Sequence, residues 1–118
     1  MAGLALCAVP AAAQLTPMLR NPAWPGLSGD DMARMHAAEV RLFEGHSIGN
    51  IERWRNPDTG NAGEVALVRE YEAKGLPCRS LSYIIRFAEN ERAQGHYALN
   101  WCRLQSGEWK IVNTEPPA

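Results

Sequence analysis

The sequence predicts an α+β domain in which one N-terminal helix packs on a four- to five-stranded antiparallel meander stapled by one disulfide. Three observations predict it. Apolar residues recur with helical spacing from Ser28 to Glu44 and with alternating spacing after Gly49. Beyond Gly49, clusters of turn-forming residues recur at short intervals, which suits hairpins and leaves no room for crossover connections. Finally, a hairpin whose tip is Asn90 pairs residues whose numbers sum to 180, and that register sets Cys78 opposite Cys102. It also sets Leu81 opposite Leu99 and Tyr83 opposite Tyr97. Leu81, Tyr83, Ile85 and Phe87 then share one apolar face with Tyr97, Leu99 and Trp101, the face against which the helix buries its own stripe.

The length of 118 residues suits one domain, and the formal net charge of −1 excludes the basic excess typical of nucleic-acid binders. It equally gives no case for a polybasic membrane patch. The charge is unevenly spread, because no charged side chain precedes Arg20.

Residues 1–13 form a signal-like segment, a short apolar run ending in Ala11-Ala12-Ala13, with Ala13–Gln14 as the expected cleavage point. It lacks a positively charged n-region, so the expected start lies upstream of Met1. The run is too short to span a bilayer, and no transmembrane helix is expected in the mature chain. Cys7 follows Leu6, which is not the small residue that a lipid-anchor site needs, and is read as part of the discarded segment. The mature chain then holds Cys78 and Cys102 alone, an even pair that favours a disulfide in an exported protein. Such a bridge closes a loop of about 25 residues, worth roughly 3.5 kcal/mol as an upper bound.

Residues 14–27 are a proline-rich tail, with Trp24 positioned to pack down. The domain occupies 28–115. Ser28 is the expected N-cap of the helix, Asp30 and Asp31 complement its positive end, and Gly45 stops it. Met32, Met35, Val40, Leu42 and Phe43 fall on one broad side, with Arg34, Ala37 and Arg41 opposite. Strands are predicted near 50–55, 64–71, 78–88, 95–104 and 109–114, joined at Asn56–Gly63, Lys74–Pro77, Glu89–Arg92 and Ser106–Glu108. The last hairpin stays open between a two-residue and a three-residue turn, which place Trp109 opposite different residues.

The run from Trp54 to Gly63, WRNPDTGNAG, resembles the W-x-N-P-x-T/S-G-x-x-G signature of bacterial outer-membrane surface antigens of the 17-kilodalton rickettsial type. Tyr71, Cys78-Arg79, Trp101-Cys102-Arg103 and the Gly107-x-Trp109-x-Ile111-Val112 pattern follow in the family's order. The resemblance covers roughly residues 30–113. It implies a small β-rich envelope domain without an established catalytic activity. The chain departs from the family in having no lipid-anchor cysteine and no glycine-zipper stretch ahead of the domain, which points to a periplasmic form.

The candidate binding residues are Arg79, Arg103, Trp54, Trp101, Asn56 and Asp58. Arg79 and Arg103 each follow a cysteine and so point away from the disulfide. They fit either a paired-arginine site for carboxylate or phosphate groups or, for Arg79, a cation–π contact with Trp101 opposite. Asn-Pro-Asp-Thr-Gly makes a tight turn by its own chemistry, so the Asn56–Gly63 segment reads first as a structural loop and second as a recognition loop. Asp58, Asn56 and Asn61 carry oxygens but lack the bidentate glutamate of a calcium site. His36 and Glu39, spaced i, i+3 inside the helix stripe, read as a satisfied pair at the edge of the core, with Glu39 reaching solvent or an arginine. The sharper alternative is an acid–base pair in a cup between helix and sheet. No catalytic residue, metal ligand or cofactor is predicted. The expected role is a non-enzymatic structural or binding module of the cell envelope with an envelope component or protein partner; the alternative is a periplasmic inhibitor or ligand-binding module.

Overall fold

The fold, given by a computed structural model, is described for residues 24–45 and 47–117, excepting the side chains of 90–94. The signal-like segment 1–13 and most of the proline-rich tail lie outside the described residues. Trp24, at the end of that tail, is buried: its indole packs on Tyr97 (ring centroids 4.4 Å apart) and Tyr83 (5.5 Å).

The helix, α1, runs Gly29–Glu44. Ser28 and Asp31 form a reciprocal capping box: Asp31 N–H donates to Ser28 Oγ at 3.0 Å, and Ser28 N–H donates to Asp31 Oδ2 at 2.9 Å. Met35, Leu42 and Phe43 are buried as the helical spacing requires. Met32 and Val40 are half-buried at the margins of the stripe, and Ala38, absent from the predicted stripe, is fully buried at its centre. The helix stops at Gly45, whose φ of 177° is extended backbone.

Five strands follow: β1 (Ile51–Arg55), β2 (Ala62–Ala73), β3 (Leu76–Phe87), β4 (Asn90–Arg103) and β5 (Trp109–Val112). They form one antiparallel sheet in sequence order. The α+β meander and the Cys78–Cys102 disulfide are both present. The predicted 180-sum register holds from Cys78↔Cys102 through Arg86↔Gln94. The hairpin tip, however, is Ala88-Glu89 and not Asn90: the ladder shifts after Arg86, and Phe87 pairs with Asn90. One cause is visible at Ala88, whose N–H is held by Asn61 Oδ1 at 2.9 Å.

The β2–β3 turn is Lys74-Gly75, with φ of 52° and 78°, the backbone that a two-residue hairpin loop demands. The last hairpin resolves as a three-residue loop between Leu104 and Glu108, with Gly107 at φ 95°. It places Trp109 opposite Arg103 and Ile111 opposite Trp101.

Two layers cover the sheet. On one face, α1 and Trp24 close over Trp54, Val65, Leu67, Leu81, Tyr83, Ile85, Trp101 and Ile111. A bulge between Leu67 and Arg69 reverses the parity of β2, so that Tyr71 and Ala73 turn to the other face. There they join Leu76, Cys78, Cys102 and Val112 in a small second cluster. The C-terminal segment straps this face: Thr114 O accepts from Tyr71 Oη (2.9 Å) and Asn100 Nδ2 (2.8 Å), and Pro117 O from Arg69 Nη1 (2.7 Å). No helix among the described residues is long and apolar enough to cross a membrane.

Candidate functional site

The Asn56–Asn61 turn is pinned to the start of α1 by one fully buried carboxylate. Asp31 Oδ1 accepts from Asn56 Nδ2 (2.9 Å) and Thr59 Oγ1 (2.8 Å); Oδ2 accepts from Asn61 Nδ2 (2.9 Å) and from the Ser28 N–H. Burial by itself pushes the Asp31 carboxyl up. The hydrogen bonds from Ser28, Asn61, Thr59 and Asn56 outweigh it and hold the pKa at about 2, below the ordinary 3.8. Asn56 Oδ1 accepts from Asp58 N–H, closing the turn locally (3.0 Å). Asn56 is therefore buried and its side chain is spent on structure, while Asp58 is exposed at the tip. Asn56 and Asn61 turn inward and do not gather with Asp58 around a cation, and among the described residues no group of His, Cys, Asp and Glu is placed to hold a metal.

A second polar chain crosses the helix–sheet interface. Trp101 Nε1–H donates to Tyr83 Oη (2.9 Å), Tyr83 Oη–H donates to Glu39 Oε2 (2.6 Å), and Glu39 Oε1 lies 2.9 Å from His36 Nδ1. Glu39 thus reaches neither solvent nor an arginine. It is drawn into the core because Tyr83 places a buried hydroxyl beneath it, a partner that helical periodicity could not show. His36 remains outside, its side chain 59% exposed. The hydrogen bond to Glu39 raises its pKa; partial burial opposes this and the Glu39 charge adds to it. Burial first, then the charge and hydrogen bond of Glu39, push the Tyr83 phenol well above its ordinary range, against the Trp101 donation, so the hydroxyl keeps its proton.

The two arginines do converge. In the sheet, Arg103 stands level with Trp109, and Arg79 with Trp101 and Ile111, on the face carrying α1. Where α1 ends, this corner opens into a groove of about 610 Å³ holding Arg79, Arg103 and Trp109, with Val40, Phe43 and Glu44 as its helical wall. The expected cation–π contact forms on a different ring: the Arg79 guanidinium lies 5.1 Å from the Trp109 centroid, not on Trp101. Trp101 is buried and committed to Tyr83 and to Phe43, whereas Trp109 lies stacked on Phe43 (4.5 Å, 10°) at the groove. Arg79 also donates to Phe43 O, satisfying a carbonyl at the end of α1, and pairs with Glu70 at 3.2 Å. Arg103 is exposed and makes no ion pair among the described residues.

Trp54 is buried on the α1 face at the far end of the sheet, against Gly63. A Cβ on Gly63 would sit 2.7 Å from Trp54 Nε1 and 2.6 Å from Ile84 O, so only glycine lets the indole lie there. Trp54 Nε1 is buried without a hydrogen-bond partner. The hub at Asp31, the Tyr83 hydroxyl and Trp109 are the elements that residue-by-residue reasoning passed over. The Ser28-x-x-Asp31 capping-box spacing is the one sequence signal that could have singled out Asp31.

A family model described as 17 kDa outer membrane surface antigen matches residues 41–110. The chain is similar to the 17 kDa surface antigen of Rickettsia bellii (strain RML369-C), 31% identical over 110 residues, which covers 92% of this chain and 67% of the relative. It is likewise similar to that of Rickettsia conorii, 30% identical over 90 residues, covering 75% and 54%. For Rickettsia prowazekii the figures are 31% over 85 residues, 70% and 51%. The chain thus spans between half and two thirds of the length of these relatives. No solved structure matches it. The matched residues run from the last turn of α1 into β5 and include the Asn56–Asn61 turn, the disulfide and both groove arginines. The chain therefore belongs to the 17 kDa outer membrane surface antigen family.

Proposed function

We propose that this protein is exported through its signal-like N-terminus to the periplasm or cell envelope and serves there as a non-enzymatic binding module. Its contact surface in this reading is the groove at the end of α1. The observation that carries it is the convergence of Arg79, Arg103 and Trp109 around about 610 Å³ of open space. Arg79 is fixed by Phe43 O, Glu70 and the Trp109 ring, so it shapes the site and contributes field. Arg103 has no such ties and supplies the planar donor fork for a carboxylate or phosphate on an envelope partner. The name surface antigen, carried by the relatives, agrees with an envelope location.

The non-enzymatic reading is supported by the state of the His36–Glu39 pair. Both Glu39 oxygens are engaged, and Glu39 and His36 line neither this groove nor the smaller one beside Trp54. A general acid or base needs a substrate within hydrogen-bond reach, and neither of these two grooves brings one to this pair.

The test is an NMR titration of the isotopically labelled protein with acetate and with inorganic phosphate as minimal probes. Shifts centred on Arg79, Arg103 and Trp109, abolished in Arg103→Ala, support the site; their absence overturns it. Export is tested separately by the intact mass of protein recovered from a bacterial periplasm. A mass beginning at Gln14 and two hydrogens lighter than the dithiol is expected, and a chain retaining Met1 with free thiols overturns it.

A further inference from the structure

The sheet face away from α1 carries a second cationic site, at the β1 edge. The register sets Arg55 beside Ala62 and Ala62 beside Arg86; the next row sets Arg53 beside Glu64 and Glu64 beside Ile84. Side chains on these rows project to one face, and the small Ala62 leaves space between two guanidinia. The space is a shallow groove of about 360 Å³ bounded by Arg53, Arg55 and Arg86. Glu64 Oε2 is shared, 3.2 Å from Arg53 Nε and 3.5 Å from Arg86 Nη2. Arg55 pairs with no carboxylate among the described residues, so three guanidinia face one acid. The end of β1 is held in place, because Arg34 Nη1 donates to Arg55 O at 3.1 Å.

Further along the same edge, on β1, β2 and the turn before β1, lie the large hydrophobic side chains that stay exposed among the described residues: Ile48 at 61%, Val68 at 49% and Ile51 at 46%. Ile51 is two residues before Arg53 and so on the same face of β1. Gly49 N–H donates to Leu67 O at 2.8 Å, which brings the neighbouring Ile48 and Val68 alongside each other. A free anion would satisfy the arginines and leave these side chains in water. A bilayer interface satisfies both, with phosphates against guanidinia and aliphatic side chains at the acyl boundary.

We propose that this edge of the sheet docks on a membrane surface rich in anionic phospholipid, with Arg53, Arg55 and Arg86 on headgroup phosphates and Ile48, Ile51 and Val68 entering the interface. The site is separate from the groove at Trp109 and does not depend on that groove binding anything.

The experiment is co-sedimentation of the full chain with vesicles of phosphatidylcholine alone and of phosphatidylcholine mixed with phosphatidylglycerol. The readout is the ratio of the two partition coefficients, in which any contribution from the apolar N-terminus cancels. The ratio should favour the anionic vesicles, fall with added salt, and drop by on the order of tenfold or more in the triple variant Arg53→Gln, Arg55→Gln, Arg86→Gln. Glu64→Gln removes the opposing charge and should raise the ratio, a gain that an unfolded variant cannot mimic. Ile51→Ser should weaken binding to anionic vesicles with the arginines intact. Equal binding to both vesicle types, a ratio unmoved by the triple variant, or no gain in Glu64→Gln overturns the proposal. Binding of inorganic phosphate at these arginines without vesicle binding also overturns it, in favour of a soluble-anion site.

Discussion

Asp31 Oδ2 accepts the side-chain amide of Asn61 at 2.9 Å across thirty positions of chain, and this contact makes the start of the helix and the β1–β2 turn one unit. The same Asn61 donates to Gly26 O (3.1 Å) and accepts from Ala88 N–H, so the tail, the helix, the turn and the β3–β4 tip meet at one amide. The family-like Asn-Pro-Asp-Thr-Gly-Asn run is therefore read in its structural sense: three of its side chains complete the cap of α1.

Acid should expose this dependence. Asp31 has a folded pKa of about 2 against an ordinary 3.8, so its contribution is fully present above the ordinary value and is lost as pH falls through the folded one. The shift corresponds to about 2 kcal/mol. Urea unfolding followed from neutral pH down to about pH 2 should show this loss below about pH 4. Asp31→Asn should lack that part of the slope and start about 2–4 kcal/mol less stable, since an amide cannot accept from four donors. An unchanged acid slope in the variant would refute the assignment.

Removing the Tyr83 hydroxyl strands two buried groups at once, Glu39 Oε2 and Trp101 Nε1. Tyr83→Phe should cost about 2–4 kcal/mol in chemical denaturation, well beyond the loss of one exposed hydrogen bond. The upward shift of His36, read by NMR titration, should survive in Tyr83→Phe and collapse in Glu39→Gln, because Glu39 is its cause. A cost under about 1 kcal/mol would mean that the chain of hydrogen bonds is not formed in solution.

Two glycines make a matched pair. Gly63→Ala drives a methyl group to 2.6 Å from the Ile84 carbonyl, a backbone atom that cannot move aside, and should destabilise by about 1–3 kcal/mol. Gly45→Ala meets nothing within 4 Å, and Gly45 has extended φ, so its thermal midpoint should match the parent or rise slightly. Equal effects at the two positions would contradict the Trp54–Gly63 packing.

Replacing Cys78 and Cys102 together by serine should lower stability by about 2–3.5 kcal/mol, measured against the oxidised protein. The parent under reducing conditions should fall toward the same value. Insensitivity to reductant would show that the bridge does not form.

Most of the scaffold was legible because several local signals agreed on one register. The cysteines, the alternation in β3 and β4 and a nearby turn each pointed to the same pairing, and an error in any one would have thrown half the apolar side chains onto the wrong face. What escaped were features without periodicity. The bulge between Leu67 and Arg69 shifts the β2–β3 ladder by one residue, and alternation alone cannot locate such an insertion. The tip at Ala88-Glu89 is fixed partly by Asn61, which is remote in sequence. The partner of Arg79 escaped because the loop length that places Trp109 was open until Gly107 was seen in a left-handed conformation. Of the candidate site residues, Arg79 and Arg103 share a groove, Asn56 and Trp101 are buried in structural roles, and Trp54 stands apart.

The strap through Thr114 and Pro117 has a consequence for the order of assembly. A chain that emerges N-terminus first, from a ribosome or a translocation pore, presents α1 and the first four strands before the segment that roofs the disulfide cluster exists. Until residue 114 arrives, Tyr71 and Asn100 have no Thr114 carbonyl to hold. The strap thus closes this face only after both cysteines have emerged, and Thr114 and Pro117 act as its latch.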